Sequence, residues 1–93
     1  MNILQKDDGK NGLFYIEHEG NILAEMTYSW AGANRIIINH TEVSETLSGK
    51  GIGKELIAKA VEFARANNIK ISPVCPYAKT VFEKTEAYST VLF

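Results

Sequence analysis

One cysteine is too few for a disulfide within the chain or for a cysteine-based zinc cluster, so Cys75 stands alone as a thiol. Excess charge is also missing. Ten Lys and Arg against eleven Asp and Glu leave a formal net charge of −1, which gives no electrostatic footing for nucleic acid. Nor is there the mixture of aromatic and basic residues that binds single strands. Long hydrophobic runs are absent. The opening Met1-Asn2-Ile3-Leu4-Gln5-Lys6-Asp7-Asp8 has no apolar stretch of signal-peptide length, and no segment approaches the ~20 apolar residues of a membrane span. These absences predict a cytoplasmic chain with no membrane or nucleic-acid partner. Repeats, linkers and low-complexity tracts are lacking too, and 93 residues suffice for one domain, 1–93, and not for two. The 45% hydrophobic and 23% charged content is that of a folded globular protein, not of a disordered one.

What is present is strongly patterned. The runs 13–19 and 22–30 flank Gly20-Asn21, which reads as a two-residue hairpin turn. In the second run Ile22, Ala24, Met26, Tyr28 and Trp30 share one face, predicted to be core, while Glu25, Thr27 and Ser29 share a wetter one. A turn over residues 7–12 lets residues 3–6 pair as a short first strand, and residues 31–34 form another loop, so an antiparallel meander is expected. The run 35–43 reads as a more buried, central strand, because Ile36-Ile37-Ile38 does not alternate. A helix then begins near Ile52, with Leu56, Ile57, Ala60, Val61, Phe63 and Ala64 on its apolar face and a Glu55–Lys59 pair on its wet one, and ends at Asn67-Asn68. Residues 69–74 make a fifth strand. Pro76 and a short helix over 78–85 follow. The fold class is α/β with a mixed sheet, of the α+β kind.

Between the last strand of the meander and the long helix lies Ser48-Gly49-Lys50-Gly51-Ile52-Gly53-Lys54. Glycine lets the backbone take positive φ and lets a ligand approach the main chain, and the helix beginning here offers unpaired N–H groups and the positive end of its dipole. A diphosphate is the guest this junction suits; a tight turn without a ligand is the alternative. Two familiar phosphate loops fail on residue identity. Lys54 is followed by Glu55, not by the Ser or Thr of a Walker loop, and Leu56 stands where a dinucleotide fingerprint needs its third glycine. Strand, helix and strand in this order form a right-handed parallel crossover, whose ligand sits beyond the carboxyl ends of the strands. Glu42-Val43, the glycine loop and Val74-Cys75 should therefore meet at one sheet edge, with Cys75 beside whatever the loop binds.

These residues resemble a family. The R/Q-x-x-G-x-G/A core of the GCN5-related N-acetyltransferases is matched at its glycines by Gly51 and Gly53, with His40-Thr41-Glu42-Val43 before the loop and Cys75-Pro76-Tyr77 after the last strand. Over nearly its whole length the chain is similar to small single-domain members of that superfamily. The resemblance implies a GNAT-like fold and acetyl-CoA as co-substrate. It places the coenzyme A pyrophosphate on the backbone of Gly49, Lys50, Gly51, Ile52, Gly53 and Lys54, and the pantetheine arm beside main-chain groups of Glu42 and Val43. Ser48 departs from the usual Arg or Gln, but main-chain N–H groups make most diphosphate contacts, so binding is expected to survive. Larger members carry amino-terminal helices that help build the acceptor site. Here a meander occupies that region, which leaves the acceptor a protein or other large partner, or none at all. The implied activity is acetyl transfer to an unknown acceptor, and its rival is a non-catalytic acyl-CoA-binding or sensing module.

The candidate catalytic residues are Cys75 and His40. A helix amino terminus or a lysine such as Lys79 could lower the Cys75 pKa and let it accept an acetyl group; otherwise it is a small buried hydrophobe. His40 is the candidate base, with a plain polar strand-end residue as its alternative. Glu42 reads mainly as a backbone contact with a solvated carboxylate. Tyr77 either protonates a leaving thiolate or packs against the cofactor. Lys50 and Lys54 either assist the phosphates or begin a solvated helix, and His18 is structural or exposed.

Overall fold

Alternation along the meander decides which side of the sheet is buried. The computed structural model describes residues 2–93 and contains strands β1 (Leu4–Asp7), β2 (Asn11–His18), β3 (Asn21–Trp30), β4 (Arg35–Val43) and β5 (Lys70–Pro73). Two α-helices, α1 (Ile52–Asn67) and α2 (Pro76–Lys84), follow β4 and β5, and 3-10 turns cover Glu45–Leu47 and Glu86–Val91. The sheet order is β1-β2-β3-β4-β5, antiparallel except for the parallel pair β4–β5 around α1. This is the expected meander, crossover and terminal helix. Among the described residues no helix is long and apolar enough to cross a membrane.

One sheet face forms the core. Phe14 and Ile16 of β2, Ala24, Met26 and Tyr28 of β3, and Ile36 and Ile38 of β4 are buried with Ile71 of β5. Leu56, Ile57, Ala60, Val61 and Ala64 of α1 and Ala78, Val81 and Phe82 of α2 join the same cluster. In the row behind them Leu13, Glu25, Thr27 and Ile37 stay half-buried and only Tyr15 is buried, so the opposite sheet face meets solvent. Aromatic rings close the β1 end, with Phe14, Tyr28, Trp30 and Phe63 5.5–6.4 Å apart between centroids. The buried Tyr28 ring leaves no room for a side chain at Gly12, its cross-strand partner. Its hydroxyl donates to Asp7 Oδ2 at 2.7 Å, the same oxygen that accepts from Trp30 Nε1 at 2.9 Å, while Gly9 N–H donates to Oδ1 at 2.7 Å. These bonds tie the short edge strand to the core.

Several expectations are corrected. The hairpin turn is Glu19-Gly20, not Gly20-Asn21, since both residues take positive φ (51° and 82°) and Asn21 already pairs with His18. A turn with two positive φ values matches the strand twist, and glycine fits its second position. Ile22 is 45% exposed, because Leu23 is an extra residue where the register slips between Ile16 and Glu17, so that Ile22 pairs with Glu17 and leaves the row of Ala24. Lys59 pairs with Glu62 at 3.7 Å and not with Glu55. Helix α2 begins at Pro76, whose missing N–H and fixed φ suit a first helical position. Finally, β4 is buried only in its first half. It pairs with β5 from Arg35 to Ile38 and there the ladder stops, the N–H groups of Val74 and Cys75 both reaching Ile38 O at 3.0 and 2.9 Å. Pro73 and Pro76 remove two donors within four residues, so β5 cannot continue along β4. Residues 39–43 stay paired to β3 alone, with Asn39 as the extra residue of a bulge opposite Thr27 and Tyr28.

Candidate functional site

Where β5 peels away from β4, a cleft of about 330 Å³ opens. Its strand wall is Thr41 and Val43 of β4, its floor is Leu47, Ser48 and Gly49, and its far side is Gly51, Ile52 and Gly53 with the Tyr77 ring. Gly49 and Gly51 hold φ of 78° and 71°, and nothing lies within 4 Å of the point where a Cβ would stand on either. The loop therefore presents bare main chain. Gly51 caps α1 without a side-chain hydrogen bond, which leaves the first-turn N–H groups free for an anion at the positive end of the helix dipole. Lys50 and Lys54 are exposed beside them.

Gly53 is a glycine for a different reason. It has helical φ, but a Cβ there would stand 2.7 Å from Cε2 and Oη of Tyr77. Space for the tyrosine, not backbone freedom, sets this position. Tyr77 lies in the first turn of α2 and is 41% exposed, and burial, followed by the negative charge of Cys75, holds its phenol above the ordinary range.

Cys75 caps α2 and is 5% exposed. Its Sγ lies 3.6 Å from Thr41 Oγ1. Burial pushes the thiol up, but the N–H of Ala78, the Thr41 hydroxyl, the N–H of Tyr77 and the Thr41 main chain together outweigh it, so the pKa falls below the ordinary thiol value. Hydrogen bonds do this, not Lys79, whose side chain lines a separate groove with Ser72, Val74 and Phe82.

The pairing register separates the remaining candidates. Met26 faces Thr41 and Ala24 faces Val43 on the core side, whereas Thr27 faces His40 and Glu25 faces Glu42 on the other. His40 and Glu42 thus share the solvent face, where Nε2 and Oε1 are 3.0 Å apart and both side chains are well exposed. The fold gathers Thr41, Val43, the glycine loop and Tyr77 into one cleft, buries Cys75 against the Thr41 hydroxyl, and leaves the side chains of His40 and Glu42 across the sheet. Glu42 lines a neighbouring groove with Ile22, Glu25 and Ser44, and Val43 is common to both. His18 is exposed at the far hairpin beside Glu19. Sequence reasoning missed Thr41. Alternation from Ile36 and Ile38 points to His40, and the extra residue Asn39 inverts the rows, a bulge that residue spacing does not announce.

A mixed sheet that splays at a parallel pair, with a glycine loop and helix start in the splay, defines a class. Residues 13–91 match the model of the GCN5-related N-acetyl-transferases, and the chain belongs to that family. A GCN5-like protein from Staphylococcus aureus, whose solution structure is solved, is 40% identical, with 99% of this chain and 89% of that one aligned at a TM-score of 0.73. A ribosomal-protein-alanine N-acetyltransferase from Brucella melitensis shares the fold at 20% identity and a TM-score of 0.68, over 83% of this chain and 62% of its own. Protein NATD1 of Xenopus tropicalis is 32% identical over 54 residues, which take in 58% of this chain. The chain thereby spans half the length of this curated relative.

Proposed function

We propose that the protein binds acetyl-CoA in the cleft between β4 and β5 and transfers the acetyl group to an acceptor through Cys75. The observation that supports this most is the Cys75 sulfur hydrogen-bonded to Thr41, a wall residue of the cleft whose far side is an open glycine loop. The residues fit coenzyme A: bare main chain at Gly49 and Gly51, the intervening Lys50 and the N–H groups of Ile52, Gly53 and Lys54 suit its pyrophosphate, and the unpaired edge around Glu42 and Val43 suits an amide-bearing arm. Bound acetyl-CoA supplies an activated thioester. Cys75 gives up its proton and its sulfur bonds to the acetyl carbon as the carbon–sulfur bond of the thioester breaks, so that the departing CoA thiolate takes one proton. The acceptor amine then takes the acetyl group and the Cys75 thiol is restored. In this reading the Tyr77 phenol, held protonated, passes a proton to the departing thiolate and takes back the one that Cys75 gave up, and the acceptor amine's proton restores the Cys75 thiol. The acceptor itself is a protein or other large partner, in keeping with the uncovered sheet face.

The test is intact-protein and peptide mass spectrometry after incubation with acetyl-CoA, with and without candidate amines. A mass gain of one acetyl group on Cys75, discharged by an amine, is the expected result. A binding module without turnover is the second reading, favoured by the position of His40 across the sheet from the thiol. Tight CoA binding with no acetylation at any residue would establish it.

A further inference from the structure

Of the polar residues His40, Thr41 and Glu42, only Thr41 shares the sheet face of Cys75, and its Oγ1 stands 3.6 Å from the sulfur. The main-chain N–H groups that lower the thiol's pKa, those of Ala78, Tyr77 and Thr41 itself, can only donate, so each serves the thiolate and offers nothing to the S–H of the thiol. A hydroxyl serves both. It donates to the thiolate and accepts from the thiol, so the contact survives the change of protonation state. Threonine is also β-branched and stiff at χ1, which keeps the hydroxyl aimed without a rotamer search. The sulfur thus meets β4 through this hydroxyl while Cys75 itself caps α2, at the point where β5 leaves the sheet.

We propose that Thr41, a wall residue of the cleft, is the positioning residue of this site, holding the buried Cys75 sulfur behind it in both of its protonation states. This rests on the reading of Cys75 as the acetyl-receiving group. The other groups near the sulfur do not duplicate the role. On α2, Tyr77 is the titratable neighbour and Lys79 lines the groove beyond β5; on β4, His40 and Glu42 face away; at the start of α1, Lys54 is exposed.

The experiment is alkylation of Cys75 by iodoacetamide as a function of pH in the full chain without acetyl-CoA. In Thr41→Val the midpoint of the rate profile should rise by about one pH unit, a roughly tenfold smaller thiolate fraction at neutral pH, and Thr41→Ser should return it close to the parent. Val is near in shape and favourable in a strand, and Thr41→Ala gives the same readout should Val disturb packing. An unmoved midpoint in both folded variants, confirmed by unchanged melting, would overturn the role of Thr41 while leaving acetyl transfer standing. A raised midpoint with no acetylation of Cys75 in the parent chain would instead sink the transferase reading.

Discussion

Two glycines two positions apart serve different physics. Gly51 sits at φ of 71° with open space where a side chain would go, so any L-residue there is strained by conformation, not by contact. Gly51→Val should cost ~1–2 kcal/mol in thermal unfolding and abolish CoA binding in calorimetry, because a β-branched side chain would also cover the main chain. Gly53 is helical and Tyr77 occupies its missing side chain, so Gly53→Ala should displace the ring while improving helix propensity. Nuclear magnetic resonance should show shifted Tyr77 ring signals, and adding Tyr77→Ala should release a stability gain of up to ~1 kcal/mol. Asp7 sets an acid limit. Burial raises its pKa, but bonds from Tyr28, Gly9 and Trp30 outweigh burial and the folded value lies below 3.8. A depressed carboxyl contributes stability that is present above the unfolded pKa and lost as pH falls through the folded one. The chain should therefore weaken below about pH 4, and Asp7→Asn should flatten that slope. Fluorescence of Trp30, which itself donates to Asp7, reports the transition.

At the scale of elements, the β2–β3 hairpin contains a correctable defect. Glu19 holds φ of 51°, a left-handed conformation that disfavours a glutamate and suits asparagine. Glu19→Asn should raise stability by ~1 kcal/mol, seen as a higher urea midpoint at unchanged slope, and a lower midpoint would mean that its side chain supplies an interaction stronger than the strain. The β4–β5 pair shows how an element can be ended to build a site. Two prolines stop the ladder at Ile38, and the second begins α2, so the break in pairing and the start of the helix that holds Cys75 come from one short segment. The strand was legible in the apolar run over residues 36–38. Its half-open edge was not, because hydrophobic spacing reports burial of side chains and says nothing about which backbone edge finds a partner.

For the whole molecule, two helix starts and a splayed strand pair converge on one cleft, while the other sheet face remains open. Ligand linkage gives the broadest test: CoA at a hundred times its Kd should add ~2.7 kcal/mol, a rise in melting temperature of roughly 10–20 °C for a chain of this size, and NAD at the same concentration should add none. Equal shifts from both would reject the cleft as a coenzyme A site. By itself, the sequence determined the element order, the apolar faces of α1 and β3 and the glycine-bearing loop, because periodicity and glycine placement are local properties of the chain. It also brought Cys75 to the carboxyl edge of the sheet, since handedness leaves a parallel crossover one arrangement. Only the tertiary structure decided that Thr41 and not His40 meets Cys75 and that Tyr77 fills the space of Gly53. Both depend on register and on side chains more than 20 positions apart, and a one-residue slip in β4 would have exchanged the two rows and put His40 in the cleft.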